Sequence, residues 1–318
     1  MTSYDDTDLR RAAAAGIRAP SLHNSQPWRF RLRAGAIEIL ADPRRQLAIA
    51  DNAGWALRIA CGAATFNARL ALAAAGLPAQ VTLRPDNAQP DLLVRLTPGA
   101  HREPTYAEAD LLAAIPRRHS NRRPFWAEPV PPDARLRLIE AARAENTWLD
   151  LLVGLTALSG FAEIARSADR VLRRNTQYQA EMAGWTHADE APDGIPATAG
   201  APVPEPQDLL PQRAFSERRR APGRDFEPEP LIAILGTASD RPQDQLVAGQ
   251  ALQRVLLTAT DAGLACSMMS QPIEVPAARD QLRRSLGRTG VAQMALRIGY
   301  GQVGAATGRR DLDEVLED

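Results

Sequence analysis

Cys61-Gly62-Ala63-Ala64-Thr65-Phe66-Asn67-Ala68-Arg69-Leu70-Ala71-Leu72-Ala73-Ala74-Ala75-Gly76-Leu77 reads as one buried helix with its stop signal attached. Ile59, Ala63, Phe66, Leu70 and Ala73 keep the spacing of a single helical face, and Gly76 falls where a helix C-cap belongs. The same phrase occurs a second time. Gly62 is followed fourteen positions later by Gly76-Leu77, and Gly249 is followed fourteen positions later by Gly263-Leu264. Leu252, Val255, Leu256 and Ala259 carry the helical rhythm between the second pair.

The flanks agree in order as well. Ile37-Glu38-Ile39-Leu40 precedes the first helix and Leu231-Ile232-Ala233-Ile234-Leu235 the second. Each helix is followed by a further strand, Asp91-Leu92-Leu93-Val94-Arg95-Leu96 or Met294-Ala295-Leu296-Arg297-Ile298. Because several elements recur in one order, and not one alanine-rich helix alone, the pattern predicts two related halves, residues 1–112 and 113–318. Two segments have no counterpart in the first half. Residues 135–185 are helical in pattern, whereas residues 187–230 are rich in Pro and Gly, carry Arg218-Arg219-Arg220 and show no periodicity. Residues 135–230 therefore read as an insertion and possible lid, in which 187–230 is either a solvated linker or a lid across a site.

Composition narrows the chemistry. The 318 residues are 45% hydrophobic and 24% charged, which predicts a soluble globular chain. All 38 basic residues are arginine, matched by 38 acidic ones, so no cationic excess marks a nucleic-acid surface. The absence of lysine removes Schiff-base and P-loop mechanisms. Cys61 and Cys266 lie far apart without CxxC or CxxH neighbours, which argues against a disulfide framework or a zinc site and for a reducing compartment. No basic segment leading into an apolar run opens the sequence, and no apolar run is long enough to span a bilayer; a cytoplasmic protein is expected.

Two segments could carry chemistry. Pro20-Ser21-Leu22-His23-Asn24-Ser25-Gln26-Pro27-Trp28 packs hydrogen-bonding side chains between prolines, in a backbone with little freedom left to lose on binding. Its amides suit a ligand edge of alternating donors and acceptors, and they equally suit a turn that caps its own neighbours. Arg117-Arg118-His119-Ser120-Asn121-Arg122-Arg123-Pro124-Phe125 offers guanidinium forks and a hydroxyl, the groups a phosphate monoester needs. A solvated arginine cluster is the plainer meaning of such a run.

Together these segments resemble the nitroreductase superfamily of FMN-dependent oxidoreductases. The first is similar to the family's PSxxNxQPW loop over the flavin ring, and Arg118-His119-Ser120-Asn121-Arg122 is similar to its RxSxR segment on the ribityl phosphate. Gln271-Pro272-Ile273-Glu274-Val275 resembles the PIEG turn at flavin N5, with Val275 where the family usually has glycine. Gly308-Arg309-Arg310-Asp311 resembles the basic tail that adds a phosphate contact.

The resemblance implies an α+β fold: a three-layer αβα sandwich with a mostly antiparallel sheet, duplicated within one chain as a pseudo-dimer. It implies bound FMN, with Pro20, Ser21, Leu22, Asn24 and Gln26 on one side of the cofactor. Arg118, His119, Ser120, Arg122, Ile273, Glu274, Val275, Arg309 and Arg310 would lie on the other. The loop here precedes the arginine segment, the reverse of the usual order. A fused pair explains this, since each flavin of an ordinary homodimer takes its loop from one subunit and its arginines from the other. One complete site would result. That arrangement is similar to the Acg-type branch, in which an insertion is thought to cover the flavin.

The implied activity is hydride exchange through flavin N5 between a reductant such as NAD(P)H and a small organic acceptor, by a single-chain pseudo-dimer or a homodimer of it. An FMN-sequestering protein closed by residues 135–230, without turnover, is the alternative reading. A flavin-free interaction protein would leave the arginines as surface decoration. No side chain is assigned as general acid or base, although His23 and Glu274 stand nearest.

Other patterns are set aside. Gly299-Tyr300-Gly301-Gln302-Val303-Gly304 satisfies GxGxxG, yet too little chain follows it to form a dinucleotide-binding unit. His23, His101, His119 and His187 are dispersed, so no metal site is expected. No GxSxG elbow occurs, and Met268-Met269 reads as core packing.

Overall fold

The computed structural model describes residues 6–200, 208–211, 213 and 230–317; Arg218-Arg219-Arg220 and the rest of the Pro-rich segment lie outside the described residues. In chain order the first part runs α1 (Asp6–Gly16), β1 (Trp28–Arg33), β2 (Ala36–Ala41), α2 (Trp55–Ala74), β3 (Ala79–Leu83), β4 (Leu92–Pro98) and α3 (Tyr106–Ala114). The second runs α4 (Pro132–Arg143), β5 (Trp148–Leu152), α5 (Leu155–Arg174), α6 (Thr176–Gly184), β6 (Thr186–His187), β7 (Ile195–Pro196), β8 (Leu231–Thr237) and α7 (Pro242–Asp261). It ends with β9 (Ala265–Met269), α8 (Gln271–Glu274), α9 (Pro276–Ser285), β10 (Val291–Gly299), α10 (Leu312–Val315) and β11 (Leu316–Glu317).

The strands form two main sheets, ordered β11-β1-β2-β4-β3 and β5-β8-β10-β9. Apart from β11, the connectivity is the same: first strand, second strand, long helix, a strand at the far edge, and a last strand inserted between. Pairing within these two sheets is antiparallel except for β11, which runs parallel to β1 with Phe30 opposite Leu316. The end of the chain thus completes the sheet formed by its beginning.

Both helix stops take the expected form. Gly76 has φ +79° and Gly263 φ +72°, left-handed values that glycine adopts without a Cβ penalty. The next residue then bonds back into the helix: Leu77 N–H donates to Leu72 O at 2.8 Å and Leu264 N–H to Ala259 O at 2.8 Å.

Residues 135–230 prove to be only partly insertion. The run Trp148–Leu152 is strand β5, paired with β8 from Trp148 opposite Gly236 to Leu152 opposite Ile232. With α4 before it, β5 supplies the second sheet with what α1 and β1 supply to the first. The additional material begins at α5, whose Leu158, Phe161, Ile164 and Ala168 bury one face in the core of the second sheet.

Helices α2 and α7 pack on each other between the sheets. Trp55, Ala56 and Ile59 of α2 belong to the core of the second sheet, and Leu246 of α7 belongs to the core of the first. Each long helix therefore contributes apolar surface to the other unit. Its burial, at about 25 cal/mol per Å² of apolar area, holds the two units together along with the β1–β11 pairing.

Candidate functional site

The loop before β1 is bent through three left-handed residues that are not glycine, His23 (φ 51°), Asn24 (φ 55°) and Gln26 (φ 50°). Such conformations persist only where surrounding bonds over-determine them. Here they do. The Gln26 backbone N–H donates to Ser21 Oγ at 2.9 Å, closing the loop on itself. Asn24 Nδ2 donates to the carbonyls of Gly194 (3.0 Å) and Gly308 (3.1 Å), while its Oδ1 accepts from Arg309 Nη1 at 2.9 Å. Gln26 Nε2 donates to Pro192 O at 2.7 Å, and its Oε1 accepts the Arg310 backbone N–H at 3.0 Å.

Asn24 and Gln26, expected to face a ligand, instead spend their amides on tying the loop to residues 192–194 and to the C-terminal tail. Both are buried and neither lines the cavity described below.

The arginine segment is extended and runs along β9: Ser120 bridges Cys266 in parallel, and the Asn121 N–H donates to Cys266 O at 2.8 Å. An extended backbone places Arg118, Ser120 and Arg122 on one side. Arg297 of β10 fixes the segment from below. Buried to 3% exposure, it donates to Arg123 O at 2.7 Å and lies 4.2 Å from the centroid of the Phe125 ring. An arginine within the apolar run Met294–Ile298 was the signal that strand carried.

A cavity of about 940 Å³, counted out to the solvent at its mouth, opens at the junction of the two units. Pro20, Ser21, Leu22 and His23 line it from the loop, and Trp55 and Ile59 from α2. Ser120, Arg122 and Arg297 face them from the second unit, with Met268, Met269 and Met294 supplying polarisable apolar wall. Ile195, Leu210, Pro211 and Arg213, all from the added segment, also line it, as do Ser270 and Gln271. Thus Pro20, Ser21, Leu22, Ser120 and Arg122 come together on one cavity.

Ile273, Glu274 and Val275 do not line this space. The Glu274 carboxylate turns toward the added segment, where it pairs with Arg213 and accepts from Tyr178 Oη at 3.0 Å. Arg310 likewise turns away, to Glu314 O at 3.1 Å.

Beside the cavity sits a cluster of cations. Arg118 is buried at 6% exposure with no hydrogen-bond acceptor at Nε, and burial followed by the neighbouring charge of Arg18 brings it down to about 10. Arg309, its Nε also enclosed without an acceptor, is brought to about 9 by burial and by Arg118 and Arg18. The same three arginines, after burial, lower His119. Among the described residues no carboxylate pairs with Arg18, Arg118 or Arg309. Arg118 is buried, Arg309 half-buried and Arg18 exposed, and a buried cation without a carboxylate, beside two more, is a costly arrangement unless an anion completes it. Arg18 was missed from sequence; it stands two residues before Pro20, and composition alone gave no reason to single it out.

No group of three metal-ligating side chains occurs among the described residues, and no helix described is long and apolar enough to cross a membrane. Cys61 and Cys266 are buried free thiols, Cys266 pushed up to about 12 by burial.

A fold of two like sheets, a loop and an arginine segment converging at their junction, and unpaired cations beside a cavity together define the class. The chain belongs to the nitroreductase family, whose model matches residues 115–300. It resembles two Mycobacterium tuberculosis proteins that bear the name "Putative NAD(P)H nitroreductase". One is 34% identical over 99% of this chain and 93% of the relative. The other, the acg product, is 31% identical over 97% of this chain and 95% of the relative. Among solved structures, a nitroreductase with bound FMN from Desulfitobacterium hafniense DCB-2 is similar at 16% identity, over 65% of this chain and 96% of that one, with a TM-score of 0.42.

Proposed function

We propose that the protein is an FMN-dependent oxidoreductase holding one flavin per chain, in which residues 1–112 and 113–318 are two related units that build a single site between them. The observation that carries this reading is buried Arg118 beside the cavity, without a carboxylate and next to half-buried Arg309. Arg118 and Arg309 have the charge and each an enclosed Nε without an acceptor, and exposed Arg18 adds a third charge, as a phosphate monoester requires. Ser120 and Arg122 extend the same strip toward the cavity, where Trp55, Leu22 and the methionines offer apolar wall to a flat ring system.

The flavin, when bound, supplies hydride exchange with a reduced nicotinamide and a small organic acceptor. The chain's own residues bind, orient and shield. His23 is held neutral, well below its ordinary value, by burial and by Arg213 and Arg122, so it faces the cavity as an uncharged hydrogen-bonding ring. Arg297 keeps the arginine segment in place through its bonds to Asn121 O and Arg123 O.

A second reading has its own support. Ile195, Leu210, Pro211 and Arg213 wall one part of the cavity, and Asn24 and Gln26 bind residues 192–194 to the loop beneath. Were that wall to close over the mouth, the site would suit retention of flavin without turnover, since hydride transfer requires space for a second ring.

An absorbance spectrum of the purified protein, followed by anaerobic addition of NADPH or NADH, separates the two. Bound FMN that bleaches supports the enzyme, and bound FMN that stays oxidised supports sequestration. A protein that neither carries nor takes up FMN overturns both.

A further inference from the structure

Gln293 stands at 0% exposure in β10, between Ala292 and Met294. A buried amide is costly unless its donors and its acceptor are satisfied, and here both ends are. Its Oε1 accepts from Trp55 Nε1 at 2.9 Å and from Arg279 Nη2 at 3.0 Å. Its Nε2 donates to Thr237 Oγ1 and to Asp240 Oδ1, each at 2.9 Å. That arrangement fixes which way the amide points, because the reverse would set donor against donor. Arg279 is braced in turn, pairing with Asp240 at 2.7 Å and donating from Nε to Ala292 O at 2.8 Å.

A slip in strand register makes room for this side chain. Strand β10 pairs Ala292 with Gly236 and Met294 with Leu235, so Gln293 is an extra residue on its strand. The first sheet slips at the same place: β4 pairs Leu92 with Leu40 and Val94 with Ile39, which leaves Leu93 extra. Leu93 is buried in the apolar core of that sheet. The bulge therefore belongs to the fold and is satisfied by leucine. An amide occupies it only in the sheet whose strands, through Met268, Met269 and Met294, line the cavity.

What the amide reaches is Trp55, at the start of α2. The indole lines the cavity at 8% exposure, and its one polar atom is the N–H that Gln293 holds. The surface it gives the cavity is therefore ring carbon in a set orientation.

We infer that Gln293 is a positioning residue, which fixes the Trp55 ring as the flat wall against which the flavin ring packs and so sets how tightly the flavin is held. An indole suits a planar, electron-poor ring, and a wall locked before binding has little freedom left to lose. Naming the ring rests on the flavin reading; the hold of Gln293 on Trp55 does not.

Two measurements on the full-length parent, Gln293→Leu, Trp55→Phe and the double variant test this. Gln293→Leu copies the residue that fills the same bulge in the first sheet. In near-ultraviolet circular dichroism without flavin, the difference between parent and Trp55→Phe gives the band of a rigidly held Trp55. Folded Gln293→Leu should lose that band, and a band that survives overturns the positioning role. In FMN titrations, Gln293→Leu should weaken binding about three- to tenfold in the parent background and have no effect on Trp55→Phe, where the same bond is already cut. Equal weakening in both backgrounds, or none in the parent, overturns the inference. Trp55→Phe alone should weaken FMN at least as much, and unchanged affinity there overturns the inference even if Gln293→Leu does not fold. A parent that takes up no FMN sinks the flavin reading and this wall with it, whereas FMN binding without the expected coupling sinks the wall alone.

Discussion

Gly62 and Gly249 meet where α2 crosses α7, and their relation is reciprocal. A Cβ on Gly62 would run into the carbonyl oxygen of Leu246 and lie 3.0 Å from Gly249 Cα. One on Gly249 would run into the carbonyl oxygen of Ile59 and lie 2.9 Å from Gly62 Cα. Leu246 precedes Gly249 by the same interval at which Ile59 precedes Gly62. Such reciprocity is what a twofold axis produces at an isologous interface, and it supports the reading of the chain as a fused pair. It also sets the separation of the units. The cavity is bounded by Trp55, Ala56, Ile59 and Ala60 of α2 and by Leu252 of α7, so its width follows from how closely these two backbones approach.

Gly62→Ala is therefore expected to be strongly destabilising although alanine is the better helix former. Neither carbonyl can move without shifting a helix, and overpacking of this kind costs about 3 kcal/mol. Gly160→Ala, inside α5 with nothing within 4 Å of the added carbon, should stabilise by about 0.5–1 kcal/mol. Urea unfolding of both variants checks the pair; a Gly62→Ala protein as stable as its parent would show that the crossing tolerates a wider spacing.

Arg118→Met should act in opposite directions on the flavin-free and flavin-loaded protein. In the free chain the change removes a buried cation that has no carboxylate, so stability is expected to hold or rise. In the loaded chain it removes a charged hydrogen bond of about 1.5–3 kcal/mol, weakening FMN about ten- to a hundredfold. Melting temperatures with and without FMN read both effects together. Unchanged FMN affinity would remove Arg118 from the site.

Much of this architecture was readable in the sequence, and where it was not the cause is specific. Helices α2 and α7 and strands β2, β4, β8 and β10 are buried runs whose periodicity or length survives without tertiary information. Strand β3 was missed although Ala79-Gln80-Val81-Thr82-Leu83 alternates apolar with polar, because five residues with one face half-covered make a short signal beside the long buried runs. Strand β5 was hidden because Trp148–Leu152 runs straight into the apolar pattern of α5. Strand β11 is two residues that become a strand only because β1 offers an edge.

At the site, the residue types of the loop and arginine segment were legible, but the direction of each side chain was not. Nothing local tells that the amide of Gln26 reaches Pro192, or that Arg213, in a stretch without periodicity, returns to Glu274.

Asn24→Ala should loosen the added segment. The substitution removes two donors and one acceptor that bind Gly194, Gly308 and Arg309, leaving buried backbone carbonyls short of a partner at about 1–3 kcal/mol. Limited proteolysis is expected to cut the turn between His187 and Ile195 faster than in the parent, and bound flavin should dissociate sooner. A cleavage pattern identical to the parent's would mean that other contacts hold the segment, such as the Glu181 carboxylate that accepts from the Ile49 and Ala50 N–H groups.

Asp51 gives a pH dependence of definite sign. It is 4% exposed at the start of α2, with Oδ1 accepting the Ala56 N–H and Oδ2 the Leu57 N–H, each at 2.8 Å. Burial outweighs those donors and pushes the carboxyl up to about 6 from an ordinary 3.8. Between these values the folded chain holds a proton that the unfolded chain has released. Stability from this residue is therefore fully present below the ordinary value and is lost as pH rises toward 6, at no more than about 1.4 kcal/mol per pH unit. Glu108, lowered to about 2 by its bond to Arg102, acts with the opposite sign at lower pH, so the difference between parent and variant is the useful quantity. Asp51→Asn should remove the decline between about pH 4 and 6. Urea unfolding across that range reads the two slopes, and parallel slopes would mean that Asp51 stays ionised in the folded protein.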